Sequence, residues 1–211
     1  MNKLTESDFN QTEQKIIYAA REIFARKGFY GARMHEISER AGINSALLHY
    51  YFRNKKKLFE KVFEQLITEL IDNLFSNNSE LKDLDKFIFK FSENYIEFFH
   101  KNQNIPLFVI QEFRDNPEWI FNTLKKTQLS ERTFFKDIAK LNVGSTIFKH
   151  DFEPFINLVS MLLFPIIARP LVQFLLNVND EDYDKMIESR KLSVPQFILN
   201  NFNPKKVSDE K

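Results

Sequence analysis

Apolar residues recur at three- and four-residue intervals along most of the chain. The run TEQKIIYAAREIFARKG, residues 12–28, sets Ile16, Ala19, Ala20, Ile23 and Phe24 on one helical face. Thr12 is placed to start this helix and Gly28 to close it. A shorter pattern, MHEISER, turns Met34 and Ile37 inward and stops at Ala41-Gly42. Asn44 then stands where a cap belongs, ahead of SALLHYYF, in which Leu48 and Phe52 share a face. Asn54 has the same position before a fourth helix. Its Leu58, Phe59, Val62, Phe63, Leu66, Ile67 and Leu70 hold the helical period out to about Leu74.

SNNSE, residues 76–80, is the most linker-like stretch, and it divides the chain into a head, 11–71, and a body, 76–211. In the body the pattern predicts a helical run over 81–100, a break at Pro106, a segment over 107–114 and another from Pro117. Residues 141–151 read as a loop. A long apolar helix follows over 155–176, which Pro165 and Pro170 should kink or end. Asp180, Glu181 and Asp182 begin a last helix running to about Lys191, with Pro195 interrupting or restarting it. With only four glycines and seven prolines to form turns, the expectation is an all-α fold without a sheet.

Composition narrows the function. At 211 residues and 43% apolar content, the chain can bury a core and is not disordered as a whole. It has no cysteine, which excludes disulfides and thiol catalysis and fits a reducing compartment. The first fifteen residues lack the apolar core of a signal peptide, so a cytoplasmic location is expected. Residues 155–176 are apolar enough to raise a membrane question. Asn157, Arg169, Gln173 and two prolines within them favour a buried or interface helix over a span.

The net charge is +1, but residues 1–60 hold eleven Lys and Arg against seven Asp and Glu, and the remainder is mildly acidic. A basic head on an acidic body points to an anionic partner for the head alone. The four histidines, His35, His49, His100 and His150, are scattered. No HExxH, GxSxG or phosphate-cradling glycine loop is present, so no catalytic, metal or cofactor site is expected.

Two short helices joined at Gly42 and packed on a longer first helix meet the requirements of a helix-turn-helix over about residues 34–53. Ile37, Ala41, Ile43 and Leu48 face inward, and Ser38 is small where the helices approach. Ser45, Ala46, Leu47, His49 and Tyr50 form the outer face of the third helix, with Tyr51 at its edge. That face is small at its start, as entry into a major groove about 12 Å wide requires. The RNKKK run that follows would lie near phosphates.

Residues 11–71 resemble the N-terminal domain of the TetR family of transcriptional regulators. The resemblance rests on IIYAAREIFARKGF, EISERAGINSALLHYYF and KKLF, in the family's order. It implies that Ser45, Ala46 and Leu47 face the groove, beside the capping Asn44. It further implies that His49 and Tyr50 reach base edges or phosphates, and that Tyr51 and Lys55 bind phosphates. Two positions depart from the family pattern. Ala32 replaces a frequent Thr, so a capping and phosphate contact is either missing or moved to Arg33, and His49 stands where Tyr is usual.

Nineteen of the 24 phenylalanines lie after residue 60. Core packing in an AT-rich codon background accounts for most of them. The resemblance implies an effector pocket in the body, for which Tyr95, Phe98, Phe108, Gln111, Trp119 and Phe121 are the candidates. It also implies a homodimer through the C-terminal helices, with residues 161–176 in the interface. The expectation is a repressor that binds double-stranded operator DNA, releases it on binding a small apolar or aromatic effector, and has no membrane partner. A helical membrane-associated or interaction protein with a vestigial head, and a ligand-independent DNA binder, are the alternatives.

Overall fold

Contact with a distant tyrosine draws the first helix out beyond its expected start. In the computed structural model, which describes residues 6–75, 84–126 and 153–202, α1 spans Glu6–Gly31. Thr12 therefore lies inside the helix rather than at its start. Phe9, on the added turn, stacks on Tyr51 with ring centroids 4.4 Å apart, which local helix signals could not reveal. Gly28 interrupts the helix as expected, with φ 66° and ψ 177°.

The next three helices follow the apolar pattern closely: α2 (Met34–Ala41), α3 (Ser45–Phe52) and α4 (Lys55–Leu74). Ile16, Ala19, Ala20, Ile23 and Phe24 are all buried, as are Ile37, Leu48, Phe52 and the apolar row of α4 from Leu58 to Ile67. Met34, Ala41 and Ile43 are only half-buried. Gly42 takes the left-handed conformation, φ 69°, and the N–H groups of Gly42 and Ile43 donate to the carbonyls of Glu39 and Ser38.

In the body, α5 spans Leu84–Lys101, α6 Ile105–Asp115 and α7 Pro117–Lys126. Pro106 sits in the first turn of α6 instead of in a break, a position that needs no N–H donor. α8 spans Glu153–Ile167, α9 Arg169–Leu176 and α10 Asp180–Phe202. No strand occurs among the described residues, and the fold is all-α. The expected linker at 76–80 and loop at 141–151 lie outside the described residues.

Contacts divide the chain into two compact units. One joins Met1–Glu69 with Phe108–Thr123, and the other joins Leu70–Leu107 with Leu124–Lys211. The first unit thus holds more than the expected head of 11–71, because most of α6 and α7 belongs to it. Phe59 and Phe63 of α4 explain this: Phe108 lies 5.8 Å from each, and Trp119 5.6 Å and 4.9 Å away. In the second unit α10 packs on α5 and α8. Phe91, Tyr95, Phe99, Leu158, Leu162, Tyr183, Ile187, Val194 and Ile198 are buried there.

Prolines open gaps in α8 that α10 fills. Pro165 lies inside α8 and has no N–H, so the carbonyl of Met161 loses its intrahelical donor. Arg190 supplies one, its Nη2 donating to that carbonyl at 2.7 Å. The carbonyl of Pro165 itself accepts from the Tyr183 hydroxyl. α8 therefore passes through Pro165 and stops only at Ile167, where the chain bends by 77° into α9. Arg169 fixes this corner through Asp180 at 2.8 Å and Asp184 at 2.9 Å, with its guanidinium over the Tyr183 ring. No single described helix is long and apolar enough to cross a membrane.

α10 is likewise continuous where an interruption at Pro195 was expected. Val194, Pro195 and Ile198 are buried, and tertiary packing of this face outweighs one lost backbone bond. Its cap is Asn179, whose Oδ1 accepts from the N–H of Asp182 at 2.9 Å, and not the acidic triplet. These repairs predict a coupling. Arg190→Met, which leaves a part-buried carbonyl without its donor, is expected to cost about 1–2 kcal/mol in urea unfolding. In a Pro165→Ala background the helix regains its own donor, so the same substitution should cost markedly less. An equal cost in both backgrounds would show that Arg190 does not act through the proline gap.

Candidate nucleic-acid interface

The third helix is held by caps and by the seam beneath it. Asn44 Oδ1 accepts from the N–H of Leu47 at 2.8 Å, and Asn54 Oδ1 caps α4 through the N–H of Lys57 at 2.9 Å. On the inner side Leu48 and Phe52 are buried. Ser38, also buried, donates its hydroxyl to the His35 carbonyl at 2.7 Å. Its oxygen is therefore left to accept from Ser45, 3.1 Å away. The Ser45 hydroxyl thus turns to the seam between α2 and α3, whereas the groove-facing expectation had it outward.

Exposure along α3 resolves a single outer stripe. Ala46, His49, Tyr50 and Arg53 are exposed at helical spacing, Tyr50 by 70%, while Ser45, Leu47 and Tyr51 are half-buried. Both tyrosines meet Phe9 of the first helix, Tyr50 edge-on at 6.4 Å and Tyr51 more closely. The Tyr51 ring stacks on Phe9, and its hydroxyl donates to the Phe9 carbonyl at 3.4 Å. Arg53 was missing from the sequence-derived set, although the stripe 46, 49, 50, 53 could have found it. It caps α3 with φ 29°, donating its N–H to the His49 carbonyl at 2.9 Å.

Several cations of the head are already neutralised. Glu36 meets Lys27 at 2.7 Å and Arg26 at 3.3 Å, and these hold its carboxyl below the usual range. Arg40 pairs with Glu22 at 2.7 Å, which lowers the Glu22 pKa and raises that of Arg40. Lys55 is engaged without an acid. Its Nζ donates to the carbonyls of Ala32 at 3.1 Å and Tyr30 at 3.4 Å and lies over the Phe29 ring. Lys55 therefore ties the start of α4 to the link between α1 and α2.

The side chains of Arg33, Arg53, Lys56 and Lys57 are exposed and form no ion pair among the described residues. Arg33 caps α2 without a side-chain hydrogen bond, beside a buried Ala32. This arrangement leaves free positive charge on the head, with Arg53 in the outer stripe and Arg33 next to the Ala32 carbonyl that Lys55 holds at the start of α4. It is suited to phosphates beside a groove, with a small and polar-aromatic surface on α3.

The six effector candidates are divided between the two units. Tyr95 and Phe98 are buried in the second unit, and burial pushes the Tyr95 phenol up. Phe108, Gln111, Trp119 and Phe121 belong to the first. There Phe108 and Trp119 pack on α4, and Gln111 and Phe121 are exposed. No three His, Asp or Glu side chains gather to hold a metal ion among the described residues.

Comparison with known proteins agrees with this geometry. Residues 16–62 match the family described as bacterial regulatory proteins, tetR family. The biofilm operon icaADBC HTH-type negative transcriptional regulator IcaR of Staphylococcus epidermidis is 28% identical over 158 residues, which are 72% of this chain and 80% of that protein. IcaR of Staphylococcus aureus is 28% identical over 159 residues, with the same coverage. A TetR-family transcriptional regulator from Haemophilus influenzae has a TM-score of 0.63 at 16% identity, covering 89% of this chain and 97% of its own. The fatty acid degradation regulator FadR from Bacillus halodurans has a TM-score of 0.61 at 16% identity, covering 89% and 98%. At these identities the two structures establish likeness of fold.

Proposed function

Since the chain is a TetR-family transcriptional regulator, we propose that it acts in the cytoplasm as a homodimeric repressor released from its operator by a small effector. The observation that carries this reading is the exposed outer stripe of α3, with Arg53 in it and Arg33 on the same head both outside any ion pair among the described residues, on a capped, buried scaffold. Repression follows the example of IcaR, whose name describes a negative transcriptional regulator.

Dimerisation is supported by apolar surface at the C-terminal helices. Phe164, Leu171, Phe174, Leu175 and Leu176 are exposed on α8 and α9, Phe174 by 81%, and Leu192 and Phe197 are exposed on α10. Surface of this kind marks an association site, and two-fold pairing would set two heads on successive major-groove faces, about 34–36 Å apart. For the effector, we assign the body. Tyr95 offers a buried aromatic ring in the second unit, while Phe108 and Trp119 serve the packing of α4 first. The effector would act by linkage, weakening operator binding by the factor through which the operator weakens effector binding, typically about 1–3 kcal/mol.

The test is binding of the purified protein to DNA upstream of its own gene and to random duplex at about 150 mM salt. Specific repression requires a clear preference for the first. Arg33→Gln should reduce the slope of log K against log salt by about 0.9, as one lost phosphate contact does. Lys55→Gln should instead weaken binding mainly by loosening the start of α4. If the Arg33 variant keeps the wild-type slope, that residue leaves the phosphate set. A second arm, Phe164→Asp with Leu192→Asp, should give monomers by sedimentation and abolish tight operator binding.

A further inference from the structure

His49 occupies the centre of the outer stripe, and its ring is not free to choose a tautomer. Nδ1 lies 3.2 Å from the carbonyl oxygen of Arg53. A carbonyl only accepts, so Nδ1 must carry the hydrogen. The same residue returns the bond, the N–H of Arg53 donating to the His49 carbonyl at 2.9 Å. Arg53 can do both because it leaves the helix with positive φ, 29°, which turns its carbonyl back toward the last turn. With Nδ1 protonated, the neutral ring of this exposed residue has Nε2 as a bare acceptor.

For the neutral ring this separates the two roles open to an exposed side chain on a recognition helix. A phosphate oxygen is itself an acceptor and gains no hydrogen bond from an unprotonated Nε2. A base edge can supply the missing donor. In the major groove the donors are the exocyclic amines, N6 of adenine and N4 of cytosine, while guanine and thymine offer O6, N7 and O4 as acceptors. Each base pair carries one such amine, on one strand only. A fixed acceptor therefore reads which strand bears the amino base and does not separate A·T from G·C.

We infer that His49 is a specificity-determining residue of the reading head, held by the Arg53 carbonyl as an acceptor that selects an amino base, A or C, over a keto base, G or T, at one position of each half-site. The inference rests on the DNA-binding reading above. Ala46 beside it has no polar side-chain atom and cannot make this hydrogen bond.

The experiment is selection of bound duplexes from a random DNA pool by the full-length protein, in wild-type form and as His49→Ala and His49→Gln, near neutral pH. The expected result is one column per half-site where wild type prefers A or C over G or T by about five-fold, the discrimination of one hydrogen bond of about 1 kcal/mol. His49→Ala should erase that preference and leave the other columns in place. His49→Gln, whose amide both donates and accepts, should narrow the same column toward A. Enriched sites whose columns are identical in wild type and His49→Ala would overturn the inference while leaving the regulator reading intact. So would loss of a column that favours G or T. Failure of wild type to enrich any sequence would overturn the sequence-specific reading itself, and the inference with it. Since His49 is exposed, the variants should melt with the wild type, and circular dichroism checks this.

Discussion

Phe63→Ala is expected to destabilise the first unit by about 3–5 kcal/mol, the range for truncating a buried aromatic. Phe63 has no exposed surface. Its ring lies among Phe59 at 6.1 Å, Phe108 at 5.8 Å and Trp119 at 4.9 Å. The cavity would sit where α4 meets α6 and α7, and a rigid shell of other rings cannot collapse to fill it. Trp119 is the only tryptophan in the chain, so its fluorescence in a urea titration reads this site directly. The midpoint should fall steeply, and the emission should shift to the red even before unfolding. DNA affinity at low temperature should fall less than stability, because the outer stripe of α3 is untouched. A loss below about 1 kcal/mol would mean that the cluster repacks and that α6 and α7 are held to α4 by other contacts.

Gly28→Ala should produce the next largest loss, about 1–3 kcal/mol, without any steric clash. No atom lies within 4 Å of a Cβ built at Gly28 or at Gly42, so either substitution tests backbone conformation alone. The two glycines differ in kind. Gly42, at φ 69° and ψ 31°, lies in the left-handed helical region that Asn also tolerates. Gly28, at φ 66° and ψ 177°, lies where almost only glycine is found. Gly42→Asn should therefore cost no more than a few tenths of a kcal/mol, and Gly28→Asn should cost as much as Gly28→Ala. Beyond stability, a shift at Gly28 would move Phe29 off Phe59, 5.0 Å away, and disturb the carbonyls of Tyr30 and Ala32 that hold Lys55. Unfolding midpoints of the four variants, with Gly42→Ala as the fourth, check the ranking. Equal costs at both glycines would refute this conformational account.

The candidate site was legible in part. The Asn44 and Asn54 caps, the turn at Gly42 and the buried pair Leu48 and Phe52 follow from residue type and spacing within a few positions, which is where local physics acts. Tyr51 and Lys55 were placed among the phosphate-binding residues by family resemblance, yet each is engaged by backbone far away in sequence: Tyr51 by Phe9, Lys55 by Tyr30 and Ala32. Ser45 was read as groove-facing because its helical position allows it. The hydroxyl of Ser38 across the seam offers it a partner that no periodicity contains. Conversely, Arg53 was passed over because it lies beyond the last regular residue of α3, although its exposed side chain continues the stripe.

What the amino-acid order determined by itself is the set of helices in the head, their caps and the face each buries, because helix periodicity and capping depend on neighbours three or four residues away. Tertiary structure decided the rest. It extended α1 through Phe9, grouped Phe108 and Trp119 with α4, and carried two helices through prolines that read as breaks. It also closed the gap at Met161 with an arginine from α10 and set the tautomer of His49 from the carbonyl of Arg53. The reason is common to all of these. An unpaired carbonyl, a ring face or a free donor is satisfied by whatever group packing brings near, and packing joins residues that the linear pattern keeps apart.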